Sequence, residues 1–405
     1  QDINRLQYET VCMLAEPENN LFIVGDDDQS IYGFRGAKPG IMLSFPKRFP
    51  DTKQIVLGVN YRCSDEIMKA AERLIGKNNE RYEKHIVANK GKEQPVHMKK
   101  CENLPDEAEK IVAQIQMYQK EGIAYQEMAV LFRTNMQMRL LAGKLMEHGV
   151  PFTMRENLPN LFDTWMAKDI MCYLQLALGN RSREKFLKIA NRPVRYLSRT
   201  AFTEPEVSFD KLRAYYAVKN QEWMEERIWN FEYDLKNLAS LSPYAAIHFI
   251  RKGIGYDEFE RNVNADDWFD VLDEMQEMAR DKKSIPEFLS FVENYGDTLE
   301  EMRQEQKKQQ VKEEPGVSLM TMHASKGLEF PVLFVPTLNE DIVPYRKAVQ
   351  EGNLEEERRM LYVAMTRAKT YLHLSFVKER FHKEAEPSPF LYEISPALKN
   401  KINKK

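Results

Sequence analysis

Strands alternating with amphipathic helices on either side of an all-helical middle predict a parallel α/β sheet domain interrupted by an inserted α-subdomain. Three observations carry that fold class. Short apolar runs alternate with helix-period stretches up to residue 179 and again from residue 316. Residues 180–314 show helical periodicity almost throughout, with few β-branched runs. The longest apolar runs, Met128–Phe132 and Val332–Val335, fall far short of the roughly 18 residues a membrane span needs.

In chain order, Leu21–Val24 is fully apolar and ends at Gly25, which predicts a buried parallel strand. Gln54–Leu57 predicts another. Ser64 is placed to cap a helix reaching about Lys77, with Ile67, Ala71, Leu74 and Ile75 inward. A helix after Pro105 turns Ile111, Ile115 and Tyr118 inward and leads to the strand Met128–Phe132. A helix over 136–148 stops at Gly149, a strand follows over 151–154, and a helix fills 164–178 before Gly179. The charged and Gln-rich run 299–314 reads as a solvated helix or strap, broken by Pro315-Gly316. Strands at 317–321, 332–335 and 370–376 and a helix over 353–369 complete the alternation. Asn353 and Glu356 form a capping pair at the start of that helix.

At 405 residues the chain is too long for one core. Lys plus Arg number 59 against 62 Asp plus Glu, a net −3, so any nucleic-acid contact belongs to a local groove rather than to overall charge. The four cysteines are far apart and form no CxxC pair, which fits a reducing cytoplasm better than a disulfide framework. No histidine has metal-ligand spacing from another or from a cysteine, and no metal site is expected.

Four clusters could carry chemistry. In VGDDDQSIYGFRGA (Val24–Ala37) three aspartates and Gln29 follow a predicted strand, where open α/β sheets bind ligands. A Gln amide can donate to a terminal phosphate while accepting from a water. Tyr32, Phe34 and Arg35 interleave stacking faces with a guanidinium, a combination that suits a single strand, though the aromatics taken alone favour a surface turn followed by core aromatics. Asn60-Tyr61-Arg62 offers a stacking ring and a phosphate fork. TMHASKGLEF (Thr321–Phe330) sets His323 and Lys326 in a turn before Glu329. In EEERRMLYVAMTRAK (Glu355–Lys369), Arg367 stands at a helix end, placed either to complement the dipole or to reach across a cleft. No Gly-Lys pair is followed by Ser or Thr, so these residues contain no Walker A phosphate loop.

In this order the four clusters resemble motifs three to six of the UvrD/PcrA/Rep family of superfamily 1 DNA helicases. FRTNMQMRLL (Phe132–Leu141) resembles the stretch between motifs four and five, and PSPFLYEI (Pro387–Ile394) the family's closing segment. Gln1-Asp2-Ile3-Asn4 is similar to the tail of a Walker B segment. The resemblance therefore implies the end of a first RecA-like domain over 1–58 and a second RecA-like domain over 59–179 and 316–405, with a helical insertion over 180–315. It also implies that the Mg²⁺ ligands precede residue 1.

It implies an ATP-driven 3′–5′ helicase or translocase acting in repair or replication on single-stranded DNA and single-strand/duplex junctions, inactive as these residues alone. Gln29 would contact the γ-phosphate, Tyr61 would stack on adenine, Arg62 and Arg367 would reach the γ-phosphate, and Glu329 would sit by the ribose and phosphates. Tyr32, Phe34, Arg35, Asn135, His323 and Lys326 would touch DNA. Phe34 stands where a Trp is common, Cys63 where a Ser is usual, and RPVRYLS (Arg192–Ser198) where a Gly-Ile-Gly hairpin often grips duplex. The competing expectation is a scaffold or partner-docking module that kept the fold and lost the motor.

Overall fold

The strand Met128–Phe132 explains the architecture. Its five residues are all buried, with Ala129 and Leu131 facing one core and Met128, Val130 and Phe132 the other. A strand apolar on both faces must lie inside a parallel sheet covered by helices on both sides. The computed structural model describes residues 1–91, 94–154, 156, 160–263, 268–311 and 315–396. Contacts divide the chain into two compact units, Gln1–Leu158 with Glu305–Lys405, and Pro159–Gln304.

The first unit opens with helices α1 (Arg5–Ala15) and α2 (Pro39–Arg48), then a short parallel pair, β1 (Val59–Asn60) and β2 (Val87–Ala88), with α3 (Asp65–Ile75) between them. The large sheet follows: β3 (His97–Asn103), α4 (Leu104–Lys120), β4 (Met128–Phe132), α5 (Met138–Glu147) and β5 (Phe152–Met154). Its remaining strands come after the second unit: β6 (Val317–Thr321), β7 (Phe330–Val335) and β8 (Ala368–Arg380), with a short antiparallel return, β9 (Lys383–Glu384). The spatial order is β3-β8-β7-β4-β6-β5, all parallel. Helices α4 and α5 cover one face; α3, α15 (Leu354–Met365) and α16 (Pro389–Ile394) cover the other. The chain thus belongs to the parallel α/β class the apolar pattern predicts.

Two predicted strands are absent. Leu21–Val24 and Gln54–Leu57 join no sheet; Leu21 packs partly buried against the Tyr8, Cys12 and Phe45 cluster, while Phe22 is 89%, Val24 78%, Ile55 82% and Leu57 85% exposed. An apolar run reports a capacity for burial, whereas a strand also needs neighbours to take its N–H and C=O groups. No described segment lies alongside either run as a strand. The capping pair also differs: Asn353 makes no side-chain cap, and Glu356 instead accepts the Gly33 N–H at 2.8 Å. Ser64 precedes α3 without using its hydroxyl as a cap. Elsewhere capping follows the sequence, with Asn4 and Gln7 closing a reciprocal box on α1.

The second unit is helical: α6 (Trp165–Ala177), α7 (Arg183–Ile189), α8 (Phe209–Val218), α9 (Trp223–Ala239), α10 (Pro243–His248), α11 (Tyr256–Val263), α12 (Trp268–Met278) and the start of α13 (Ile285–Val311). The sequence opens the helical block at residue 180, but α6 packs on α7, α9 and α12 and groups with them. Its core holds ionisable groups. Tyr256 donates to Asp169 at 2.9 Å, Arg192 pairs with the same carboxylate oxygen at 2.8 Å, and Glu260 lies fully buried beside them.

Burial pushes the Glu260 carboxyl from 4.5 up to about 7, and Asp169 and Asp257 push it the same way while Tyr256 and Arg192 oppose them. A folded-state value above the unfolded one means that folding holds the protonated acid. Its contribution is therefore complete below about pH 4.5 and is lost as pH rises through 7. Asp169, also raised by burial, adds in the same direction. Urea unfolding followed across this range should show stability falling with pH, and Glu260→Gln should flatten most of the slope. An unchanged slope in that variant would assign the dependence elsewhere.

Candidate functional site

The three aspartates of the Val24–Ala37 segment follow an irregular run in place of the predicted buried strand, and the Asp26 side chain stays 27% exposed. Asp27 and Asp28 are fully buried in a one-turn helix, Asp27–Gln29. Arg81 forks onto Asp28 at 2.8 and 2.9 Å, and Lys84 meets Asp26 at 2.6 Å, Asp28 at 3.0 Å and also Asp27. The Tyr82 N–H donates to Asp27 at 2.8 Å. Burying carboxylates in the absence of cations is costly, so the loop recruits the segment after α3 as counter-charge. These carboxylates, committed to Arg81 and Lys84, do not fit a Mg²⁺ site. Among the described residues no group of three or more His, Cys, Asp or Glu could hold a metal ion, and no helix is long and apolar enough to cross a membrane. Gln29 is oriented from this network: its Nε2 donates to Asp26 at 2.7 Å.

Past Gln29 the chain turns through Gly33–Arg35 and ends at Gly36, whose φ of +84° favours glycine. The turn gathers the predicted stacking residues. Tyr32 and Phe34 lie edge-to-face at 5.9 Å, and His323 meets Phe34 at 5.5 Å and Tyr32 at 6.5 Å. The Arg35 guanidinium sits 5.2 Å from the Tyr32 ring and 5.3 Å from that of Phe34. Lys326 Nζ is 4.9 Å from the Tyr32 ring, pairs with Asp2 at 2.6 Å and donates to the Gln29 carbonyl at 2.9 Å. Five of the six residues predicted to touch DNA thus form one aromatic and cationic surface. Burial, with Arg133 and Arg35 nearby, lowers His323 to about 4, so it is a neutral ring at physiological pH. Asn135 is not among their contacts; it lies in the turn after β4 with Oδ1 buried and unpaired.

Arg62, Glu329 and Arg367 come together at the N-terminal ends of β7 and β8. Arg62 follows β1, Glu329 precedes β7, and Arg367 precedes β8. Arg62 Nε donates to Glu329 at 2.8 Å, and Lys369 meets the other oxygen at 2.6 Å. Those cations, Lys369 first, hold the Glu329 carboxyl down at about 2. Tyr61, 71% exposed, leaves its ring free for stacking. Arg367 is 1% exposed and, among the described residues, bonds only neutral acceptors: the Val363 carbonyl at 2.8 Å, Thr366 Oγ1 at 3.1 Å and the Leu328 carbonyl at 3.4 Å. Burial first, then Arg62, lowers it to about 10. The dipole-capping alternative read from sequence is thus occupied here, and among the described residues the buried guanidinium has no bonded anion.

Comparison with known proteins decides the family. The UvrD-like helicase C-terminal domain matches residues 55–208 and 208–379, and the UvrD/REP helicase N-terminal domain matches 1–50. The chain belongs to the UvrD-like helicases. It is 32% identical over 411 residues to the putative ATP-dependent DNA helicase YjcD of Bacillus subtilis, covering 97% of this chain and 53% of that protein. It is 31% identical over 428 residues to the ATP-dependent DNA helicase PcrA of Staphylococcus aureus (98% and 57%), and 32% identical over 429 residues to PcrA of Staphylococcus epidermidis (98% and 57%). The chain spans about half the length of the curated relatives it matches.

Within this UvrD-like helicase, the sequence missed the residues that hold the predicted ones. Arg81 and Lys84 secure the aspartate loop, and Glu356 fixes Gly33. Arg133, inside the FRTNMQMRLL stretch, forks onto Glu357 at 2.8 and 3.2 Å and lies 4.9 Å from the Tyr345 ring. None has a local signal, since each partner is distant in sequence. Only the basic pair in RYEK, three residues apart, hinted at a shared target.

Proposed function

We propose that the chain supplies the sensing and DNA-contacting part of an ATP-dependent 3′–5′ DNA helicase or translocase used in DNA repair or replication. The observation that carries this reading is the linkage of two surfaces. Lys326 joins the aromatic surface of Tyr32, Phe34, Arg35 and His323 to the backbone of Gln29, while Arg62 and Arg367 lie together behind Glu329. ATP is the substrate: Tyr61 stacks on its base, Glu329 lies by its ribose and phosphates, and Gln29, Arg62 and Arg367 contact the γ-phosphate. A phosphate drawing the two guanidinium groups toward Gln29 closes the motor, and hydrolysis removes the bridge. The linkage through Lys326 then passes each closure to a strand stacked on the aromatic surface, in the manner of single-strand stacking platforms. Residue ranges 1–58 and 59–179 with 316–405 serve as the two motor portions, and 180–315 as the insertion.

These residues lack a Walker A loop, so the phosphate cradle and the Mg²⁺ ligands must come from polypeptide outside them. The test is DNA-stimulated ATPase of the 405 residues beside that of the full-length polypeptide. No turnover from the former and strand-dependent turnover from the latter is the expected pair of results. A full-length polypeptide that binds DNA and never hydrolyses ATP would favour the scaffold instead.

A further inference from the structure

We infer that Glu356 is a positioning residue that couples nucleotide to the stacking surface, with α15 as the connecting rod, a role that rests on the motor function proposed for the site. Glu356 stands in the first turn of α15, and Arg367 follows the helix end by two residues. At 1.5 Å per residue, the step from one to the other covers about 16 Å. Every residue from Glu357 to Met365 is buried, so a displacement at one end is carried to the other rather than absorbed by loose packing.

At the near end, Glu356 accepts the Gly33 N–H at 2.8 Å. Gly33 lies between Tyr32 and Phe34, in the turn that presents both rings and Arg35. Its backbone does not call for glycine, because it lacks the positive φ that Gly36 has. The carboxylate does call for it. A Cβ at this position would overlap Oε2 and lie 2.7 Å from Oε1 and 2.8 Å from Cδ. Glu356 thus fills the space a side chain at position 33 would take. Its two neighbours hold the same end of the rod elsewhere: Glu355 accepts the N–H groups of Asn79 and Glu80 at 2.8 and 3.2 Å, and Glu357 accepts that of Tyr345 at 2.8 Å. Among the described residues, Glu356 is the one of the three that bonds the stacking turn. At the far end, Arg367 Nε grips the Val363 carbonyl in the last turn of α15. A phosphate that draws Arg367 therefore pulls on the rod, and the shift reaches the turn of Tyr32 and Phe34 through Glu356.

Coupling between two ligands is read as the ratio of DNA affinities with and without nucleotide. In the full-length polypeptide, a non-hydrolysable ATP analogue should change the affinity for labelled oligothymidylate by about fivefold or more. Glu356→Ala should bring that ratio to within about twofold of unity, whereas Glu356→Gln, whose amide oxygen still accepts the Gly33 N–H, should keep it. Gly33→Ala, which leaves Glu356 in the chain and displaces its carboxylate, should give the same loss. The double variant should lose no more than either single one, as two ends of one contact require. A residue serving stability alone would weaken both affinities together and leave the ratio standing. If Glu356→Ala fails to fold, Gly33→Ala decides the question. A wild-type ratio in either folded variant, or a Gln variant as damaged as the Ala one, would overturn the coupling role while leaving the motor reading intact. A wild-type polypeptide without DNA-stimulated turnover would overturn the motor reading itself.

Discussion

Arg367→Ala in the full-length enzyme is expected to lower the kcat of DNA-stimulated ATP hydrolysis by about a thousandfold or more, the range an arginine finger supplies. Among the described residues the buried side chain has neutral partners only, so it gains an anion when a phosphate arrives and loses nothing comparable on leaving its present acceptors. Arg367→Lys should rescue little, because an ammonium lacks the planar fork and reaches less far. DNA affinity without nucleotide should stay within about twofold, since no contact joins Arg367 to the aromatic surface. The group also donates to the last turn of α15, so a melt of the variant is the needed control. A folded variant retaining more than about a tenth of wild-type turnover would remove Arg367 from the catalytic role.

Gly316→Ala should be the most damaging small substitution for the sheet. A Cβ at this position would lie 2.5 Å from the Phe152 nitrogen, 2.6 Å from its Cα and 2.6 Å from the Pro151 carbonyl carbon. All three are backbone atoms, and the Val317 N–H bonds the Pro151 carbonyl at 2.9 Å, so neither strand can yield without breaking the β5–β6 pair. A loss of about 3 kcal/mol is expected, seen as a midpoint lower by roughly 5–10 °C in thermal unfolding. Gly143→Ala is the contrast: it lies inside α5 with nothing within 4 Å of a new Cβ and should be neutral or stabilising by about 0.5–1 kcal/mol. Equal midpoints for the two variants would refute the steric argument.

The sequence showed what depends on local pattern. Met128–Phe132, Val317–Thr321 and the α4 stripe of Ile111, Ile115 and Tyr118 are legible because each residue's burial follows from its own period. The runs at 21–24 and 54–57 carry the same signal and lie exposed, because strand formation also depends on a neighbour that no local window contains. The candidate site divides the same way. Tyr32, Phe34, Arg35, Arg62, Glu329 and Arg367 stand in recognisable ordered motifs. Which acid Arg62 meets, or that Arg81 and Lys84 neutralise the aspartate loop, depends on residues brought together only by the fold.

β5 and β6 are adjacent, parallel and in register, with Phe152 opposite Val317, although all of Pro159–Gln304 comes between them in sequence. The excursion leaves from the C-terminal end of β5, beside Leu319, and re-enters at the N-terminal end of β6, beside Phe152, an offset of about 7 Å along the strands and one strand spacing, roughly 4.8 Å, across them. The β5–β6 ladder is therefore made without residues of the detour. The arrangement is a socket: the sheet sets where the detour departs and returns but only weakly how long it is, because the entropy of closing so long a loop varies slowly with its length. Residues can be added to or removed from this cassette while the register of Phe152 with Val317 is kept.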